Sequence, residues 1–229
     1  MKKMHLQKLT LAAIALFLMV SCSKDDAADP AAVLPNVTIG NQIWQSTNLD
    51  VTTYRDGTPI PQVTDATDWG NLTTGAWCYY ENSTANGTTY GKLYNWYAVA
   101  GIHDNNANTP NKVLAPKGWH VPSDAEWITL TDFLGGESVA GGKMKAAGLT
   151  YWNSPNADAT NSSGFTGLPG GYRFYNGISS LIGYFGAWWS STENATENSW
   201  YRSINYSNNV VDKSINHKTG GFSVRCIRD

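Results

Sequence analysis

Ser123-Asp124-Ala125-Glu126-Trp127-Ile128-Thr129-Leu130-Thr131-Asp132-Phe133-Leu134 carries the clearest local signal in the chain. Ser123 and Glu126 stand three apart, the spacing of a capping box. The hydroxyl accepts from the Glu126 amide while the carboxylate reaches back to the amide of Ser123. Trp127, Leu130, Thr131 and Leu134 then recur at helical spacing, and Gly135-Gly136 stops the helix. Downstream the rhythm changes. Trp200 to Tyr206 alternates, with Trp200, Ile204 and Tyr206 on the presumed inner face and Tyr201, Ser203 and Asn205 left to water. Ala187-Trp188-Trp189-Ser190-Ser191 reads as a buried strand, and Asn208-Asn209 as the turn into another strand at 210–215.

Upstream, Val37-Thr38-Ile39 and Gln42-Ile43-Trp44 flank Gly40-Asn41, which predicts a tight hairpin. Tyr54-Arg55-Asp56-Gly57-Thr58-Pro59 reads as a turn, residues 60–74 as irregular, Trp77-Cys78-Tyr79-Tyr80 as a short strand and residues 82–88 as a loop. Leu93, Trp96, Tyr97 and Ala100 form an apolar stripe that predicts a second helix over residues 91–100. Gly141-Gly142 reads as a turn, and beyond Gly148 only strands and turns are expected. Two helices followed by a set of late strands make an α+β domain.

The leader sets the expected compartment. Lys2, Lys3 and Lys8 precede an apolar run at residues 9–20, too short to cross a bilayer as a helix. Leu18-Met19-Val20-Ser21-Cys22 resembles a bacterial lipobox, with Met19 where leucine is usual. Residues 1–21 are therefore expected to be a lipoprotein signal peptide, and Cys22 the acylated residue (palmitate being a typical chain). The alternative is an ordinary secretory signal. Ser23-Lys24-Asp25-Asp26 resembles the signal that sends Bacteroidetes lipoproteins to the outer face of the outer membrane, the alternative being a solvated charged linker. Residues 22–36, rich in Ala, Asp and Pro, read as a flexible tether, and residues 37–229 as one domain.

Composition narrows the partners. A net charge of −2 without a basic stripe argues against nucleic acid. Ten Trp, 12 Tyr and 22 Gly, with only 15% charged residues, favour strands and loops over helices and supply the side chains of adaptable recognition surfaces. With Cys22 assigned to lipid, Cys78 and Cys226 remain, and in an oxidising compartment they are expected to form a disulfide; two buried thiols are the alternative. In Phe222-Ser223-Val224-Arg225-Cys226, alternation places Phe222, Val224 and Cys226 on one buried strand face.

No catalytic or metal set emerges. His103, His120 and His217 show no ligand spacing, and neither a Gly-x-Ser-x-Gly elbow nor a Walker loop occurs. His103-Asp104 reads as a polar loop pair and His120 as a hydrogen-bonded structural histidine. Asp124 and Glu126 are engaged in capping, while Glu193 and Glu197 lie in a surface-like loop, so paired-carboxylate hydrolysis is not supported.

Six segments in order carry a family resemblance: VTIGNQIWQSTNL at 37–49, YGKLYNWYA at 90–98, GWHVPSDAEW at 118–127, LPGGYR at 168–173, WWSSTE at 188–193 and GFSVRCIRD at 221–229. They resemble the Fibrobacter succinogenes major paralogous domain. The resemblance implies a C-type-lectin-like fold, shared with formylglycine-generating enzymes: two helices, a small twisted, mostly antiparallel sheet, and long loops. Many members carry a cysteine where this chain has Ala115, which is consistent with Cys78 and Cys226 pairing with each other. Formylglycine chemistry is not expected, because no cysteine accompanies Trp200-Tyr201-Arg202. Glu-Pro-Asn and Trp-Asn-Asp calcium motifs are absent and Trp152-Asn153-Ser154 is a partial echo, so no cofactor is expected and a structural calcium is left open. Asn194, Asn198, Asn205, Asn208, Asn209 and Asn216 fall where related variable proteins are diversified by error-prone reverse transcription; Asn also simply favours turns.

The resulting expectation is a lipid-anchored, surface-displayed, non-catalytic module that binds a glycan or a protein. An enzyme acting on envelope or dietary polysaccharide and a structural outer-membrane component are the alternatives. The expected ligand-binding residues are Tyr172, Arg173, Tyr175, Tyr201, Asn205, Asn208 and Asn209, aromatic and arginine anchors among small amides.

Overall fold

The computed structural model describes residues 32–229; the expected leader, Cys22 and most of the 22–36 tether lie outside them. Five helices are described: α1 (Ala66–Gly70), α2 (Thr84–Tyr90), α3 (Trp96–Ala100), α4 (Asp124–Phe133) and α5 (Glu137–Met144). The strands are β1 (Asn36–Ile39), β2 (Gln42–Gln45), β3 (Trp77–Cys78), β4 (Leu93–Tyr94), β5 (Trp119–His120), β6 (Gly170–Arg173), β7 (Ser179–Ile182), β8 (Phe185–Glu193), β9 (Asn198–Asn205), β10 (Val211–His217) and β11 (Ile227–Arg228). They form a four-stranded sheet ordered β1-β2-β11-β5, a five-stranded sheet ordered β10-β9-β8-β6-β7, and the pair β3-β4. The α+β class holds.

The expected hairpin is β1–β2, with Ile39 opposite Gln42 and Gly40 at φ +62° supplying the left-handed turn position. The capping box of α4 is formed in both directions, and Trp127, Leu130 and Thr131 face inward. Strand β8 divides the interior. Trp188 joins Trp44, Trp127 and Phe165 on one side; Trp189 joins Tyr94, Trp96 and Phe222 on the other. Trp188, Trp189, Phe222 and Val224 are all buried, as their apolar surroundings in the sequence predict.

Several expectations are corrected. The 91–100 stripe is not one helix: Leu93-Tyr94 pairs with Trp77-Cys78, and only Trp96–Ala100 is helical. Asn95 causes the break, because its side chain caps α3 by accepting from the Ala98 amide. The segments read as irregular or loop hold α1, capped by Asp65, and α2. Gly141-Gly142 lies inside α5 rather than in a turn. The 222–226 segment is not a strand with one wet face; Ser223 and Arg225 are as buried as their neighbours.

That segment crosses the interior, and Arg225 organises it. Its Nε donates to Asn48 Oδ1 at 2.7 Å, Nη1 to the carbonyls of Gln45 at 2.9 Å and Phe165 at 2.6 Å, and Nη2 to the carbonyl of Thr166 at 3.0 Å. The guanidinium lies 4.5 Å from the Phe165 ring centre. Burial pushes its pKa down to about 9, so it remains charged at neutral pH. Asn48 completes the hub: Oδ1 also accepts from Trp188 Nε1, and Nδ2 donates to the Tyr90 carbonyl and Ser223 Oγ. All four hydrogen-bonding positions of that amide are filled.

The expected Cys78–Cys226 bridge is not present: both cysteines are free and buried. They belong to different clusters. Cys78 sits with Trp69, Tyr80 and Leu93 beside Arg173, whereas Cys226 sits with Trp119 and Val224 near Arg55 and Arg225. Burial pushes the thiols up to about 11 and about 12, so neither carries a reactive thiolate at neutral pH. Native protein should therefore resist alkylation at both positions, and denatured, unreduced protein should take up label at both. A mass showing one intact disulfide would contradict this arrangement.

His120 bridges two acidic residues, with Nδ1 2.7 Å from Asp229 Oδ1 and Nε2 2.7 Å from Glu126 Oε1. Burial opposes its charge, but the two carboxylates outweigh burial and raise the pKa. A histidine with a raised folded-state pKa stabilises the fold below its unfolded value and loses that contribution as the pH climbs through the folded value. The melting temperature should therefore fall as the pH rises above the ordinary histidine value of about 6.5. His120→Gln should flatten that slope; an unchanged slope would contradict the assignment.

Candidate binding face

The antiparallel register of β8 and β9 sets Phe185 opposite Asn205, Ala187 opposite Ser203 and Trp189 opposite Tyr201. On β10, Asp212 faces Ser203 and Ser214 faces Tyr201. Directly paired residues project to the same side of a sheet, so these side chains share one face. Tyr172 of β6, paired with Ser180 of β7, joins them, its ring 5.7 Å from Phe185 and 5.6 Å from Phe222.

Phe222 is the floor. Tyr201 stacks on it at 4.6 Å with planes 24° apart, and Trp189 meets it edge-on at 4.6 Å. Phe174 extends the cluster, 4.7 Å from Tyr172 and 36% exposed. Tyr172, Phe185, Tyr201, Asn205 and Ser214 are half-buried, while Asp212 is exposed. Burial chiefly raises the Tyr172 and Tyr201 pKa values, and their hydroxyls have Ser180 and Ser214 beside them. Both tyrosines are neutral at physiological pH. The arrangement offers rings, hydroxyls and an amide on one sheet face, with Asp212 as the one charge among the side chains just named.

The structure brings Tyr172, Tyr201 and Asn205 together but scatters the other expected residues. Tyr201 does not stand free in water, because Phe222 and Trp189 back its face of the strand. Arg173 is overturned as an exposed anchor: it is 2% exposed and donates to the carbonyls of Val63, Thr64, Asp65 and Gly177 over the Trp69 ring. Strand alternation turns it away from Tyr172. Tyr175 is 57% exposed at the β6–β7 tip, its ring 6.0 Å from His217. Asn208 and Asn209 form the β9–β10 connection, where Asn208 Oδ1 accepts from the Val210 amide and Asn209 Nδ2 donates to Asp158.

Phe174, Ser180, Phe185 and Ser214 were missing from the expected set. Extending the Trp189 alternation back to Phe185 would have found one of them; the others need the register. Elsewhere, His103 and Asp104 lie 3.4 Å apart in the loop lining a cavity of ≈ 330 Å³. Among the described residues no group of three or more His, Cys, Asp or Glu side chains is arranged to hold a metal ion.

The first and last described segments meet away from this face. The Ala32 amide donates to the Lys117 carbonyl, Trp119 Nε1 donates to the Ala32 carbonyl, and the Asp229 amide donates to the Gly118 carbonyl. Ala32 thus lies beside the four-stranded sheet, whereas the aromatic face belongs to the five-stranded one.

No curated protein and no solved structure matches the chain. The profile of the Fibrobacter succinogenes major domain matches residues 37–228, which covers the six segments named above, short only of Asp229, and every strand from β2 to β11. The chain belongs to the Fibrobacter succinogenes major domain family.

Proposed function

We propose that this chain is a non-catalytic recognition module, displayed at the outer-membrane surface on a lipid carried by Cys22, that binds a glycan or protein ligand through the aromatic face. We read the domain as C-type-lectin-like, with the five-stranded sheet as its binding element. The observation that carries the reading is the pair Tyr172 and Tyr201, both held against Phe222 on a half-open sheet face. Rings fixed from behind lose little entropy on binding, and small hydroxyl and amide groups beside them adapt to different partners. With Asp212 the one charge among the described side chains named for it, the face favours an uncharged sugar or a neutral peptide surface over an anionic ligand.

The titratable clusters support binding over turnover. His120 occupies the space between Glu126 and Asp229, and Glu126 is also committed to capping α4, which argues against a hydrolytic role for this carboxylate pair. Glycan and surface-protein arrays probed with the mature protein test the reading. Tyr201→Ala and Tyr172→Ala should each weaken a hit by about 1 kcal/mol or more, roughly fivefold. Leu149→Ala, at an exposed residue of another segment, should leave it unchanged. Undiminished binding by both folded tyrosine variants would overturn the assignment of the face, and steady consumption of a bound glycan would favour an enzyme.

A further inference from the structure

The C-terminal half of α5 reads Gly141-Gly142-Lys143-Met144, with Lys145 as its cap residue. A Cβ added at Gly141 would lie 2.6 Å from the Val210 carbonyl oxygen and 2.7 Å from that of Asn209. One added at Gly142 would lie 2.6 Å from the Asp158 carbonyl oxygen. The two glycines therefore let the helix backbone press directly onto two separate loops. The first of these loops turns sharply, with Asn156 and Asp158 at φ of +45° and +56°, a region that few residues other than Gly, Asn and Asp enter.

Lys145 then reaches between the loops. It is 0% exposed, and its Nζ donates to the carbonyls of Ala157 at 2.6 Å, Asn208 at 2.7 Å and Asn205 at 3.1 Å. The Trp152 ring centre lies 5.8 Å away, and no carboxylate pairs with the ammonium among the described residues. An ammonium has three N–H donors, and here each finds an oxygen. Three carbonyls from two separate stretches converging on one nitrogen resemble the coordination of a small cation more than a casual contact.

We infer that the carbonyl oxygens of Ala157, Asn205 and Asn208 form an ammonium-binding site, filled by Lys145 from within the chain, that fixes the Asn208-Asn209 turn. This holds whatever the aromatic face binds. An apolar side chain here would leave three buried acceptors unpaired. Sequence reading misses the site because its ligands are backbone oxygens, which no motif encodes.

Lys145→Ala vacates the site, and n-propylammonium supplies the missing atoms. The variant should lose amide-exchange protection at residues 156–160 and 205–210. Added n-propylammonium chloride should restore that protection and raise the melting temperature of the variant, with no effect on the wild type. Sodium chloride at equal ionic strength and n-propanol should do neither. Equal responses to all three additives, or unaltered protection in the variant, would overturn the inference. Should Lys145→Ala not fold, nitrogen-15 NMR of the wild type at about pH 6 decides, below the value of about 8 to which burial lowers the Lys145 pKa. A slowly exchanging Lys145 ammonium signal is expected; exchange as fast as that of exposed lysines would contradict the site.

Discussion

The Arg225 guanidinium has neither a route to water nor a carboxylate partner among the described residues, so backbone and amide oxygens must hold it. Those oxygens come from Gln45 at the end of the first hairpin, from Asn48 just after it, and from Phe165 and Thr166 before β6. A single side chain thus ties the C-terminal segment to the beginning and the middle of the domain. Thr166, at φ +53°, shows that the loop adopts a costly conformation to present its oxygen. The Asn48 hub, Trp188 and the Phe222 floor all depend on the path this segment takes.

The same device recurs. Arg173 closes the 63–65 segment and the β6–β7 loop, and Lys145 closes the 157 and 205–208 loops, each cation donating to backbone carbonyls. The helices are short, so much of the backbone lies outside regular ladders, and its buried carbonyls need donors from side chains. A lysine or arginine supplies several donors at once and remains charged without a paired acid. Aromatic rings line these sites: Trp69 under Arg173, Trp152 near Lys145, Phe165 and Trp188 around Arg225. This accounts for tryptophan abundance better than a binding role for each ring, since Trp69, Trp152 and Trp188 are all buried.

The parts legible in sequence were those governed by local chemistry. Ser123 and Glu126 announced α4, Gly40-Asn41 announced the hairpin, and the apolar Ala187–Ser191 stretch announced β8. Helix α3 was half legible, because the apolar stripe ran through Asn95, whose capping role outweighed the periodicity. Helix α5 was hidden by Gly141-Gly142, which read as a turn until the close loops showed why no side chain fits there. On the aromatic face, Tyr201 and Asn205 were legible from alternation, and Tyr172 only as an aromatic residue among small amides. Arg173 was misread because burial of a lone arginine is set by distant carbonyls, which leave no local pattern. The expected cysteine pairing rested on the compartment read from the leader, whereas the fold puts Cys78 and Cys226 in separate clusters.

The aromatic face inherits its rigidity from this interior. Phe222 is three residues before Arg225, and the rings of Tyr172 and Tyr201 rest on it. If cation-to-carbonyl bonding holds the segment in place, the Arg225 side-chain Nε proton can reach water only when the domain opens as a whole. Hydrogen exchange of that proton in arginine-labelled protein is the most direct measurement. The account predicts exchange no faster than that of the slowest amides of β8 and β9, such as that of Trp189. Exchange at the rate of an exposed arginine, with those amides still protected, would contradict it.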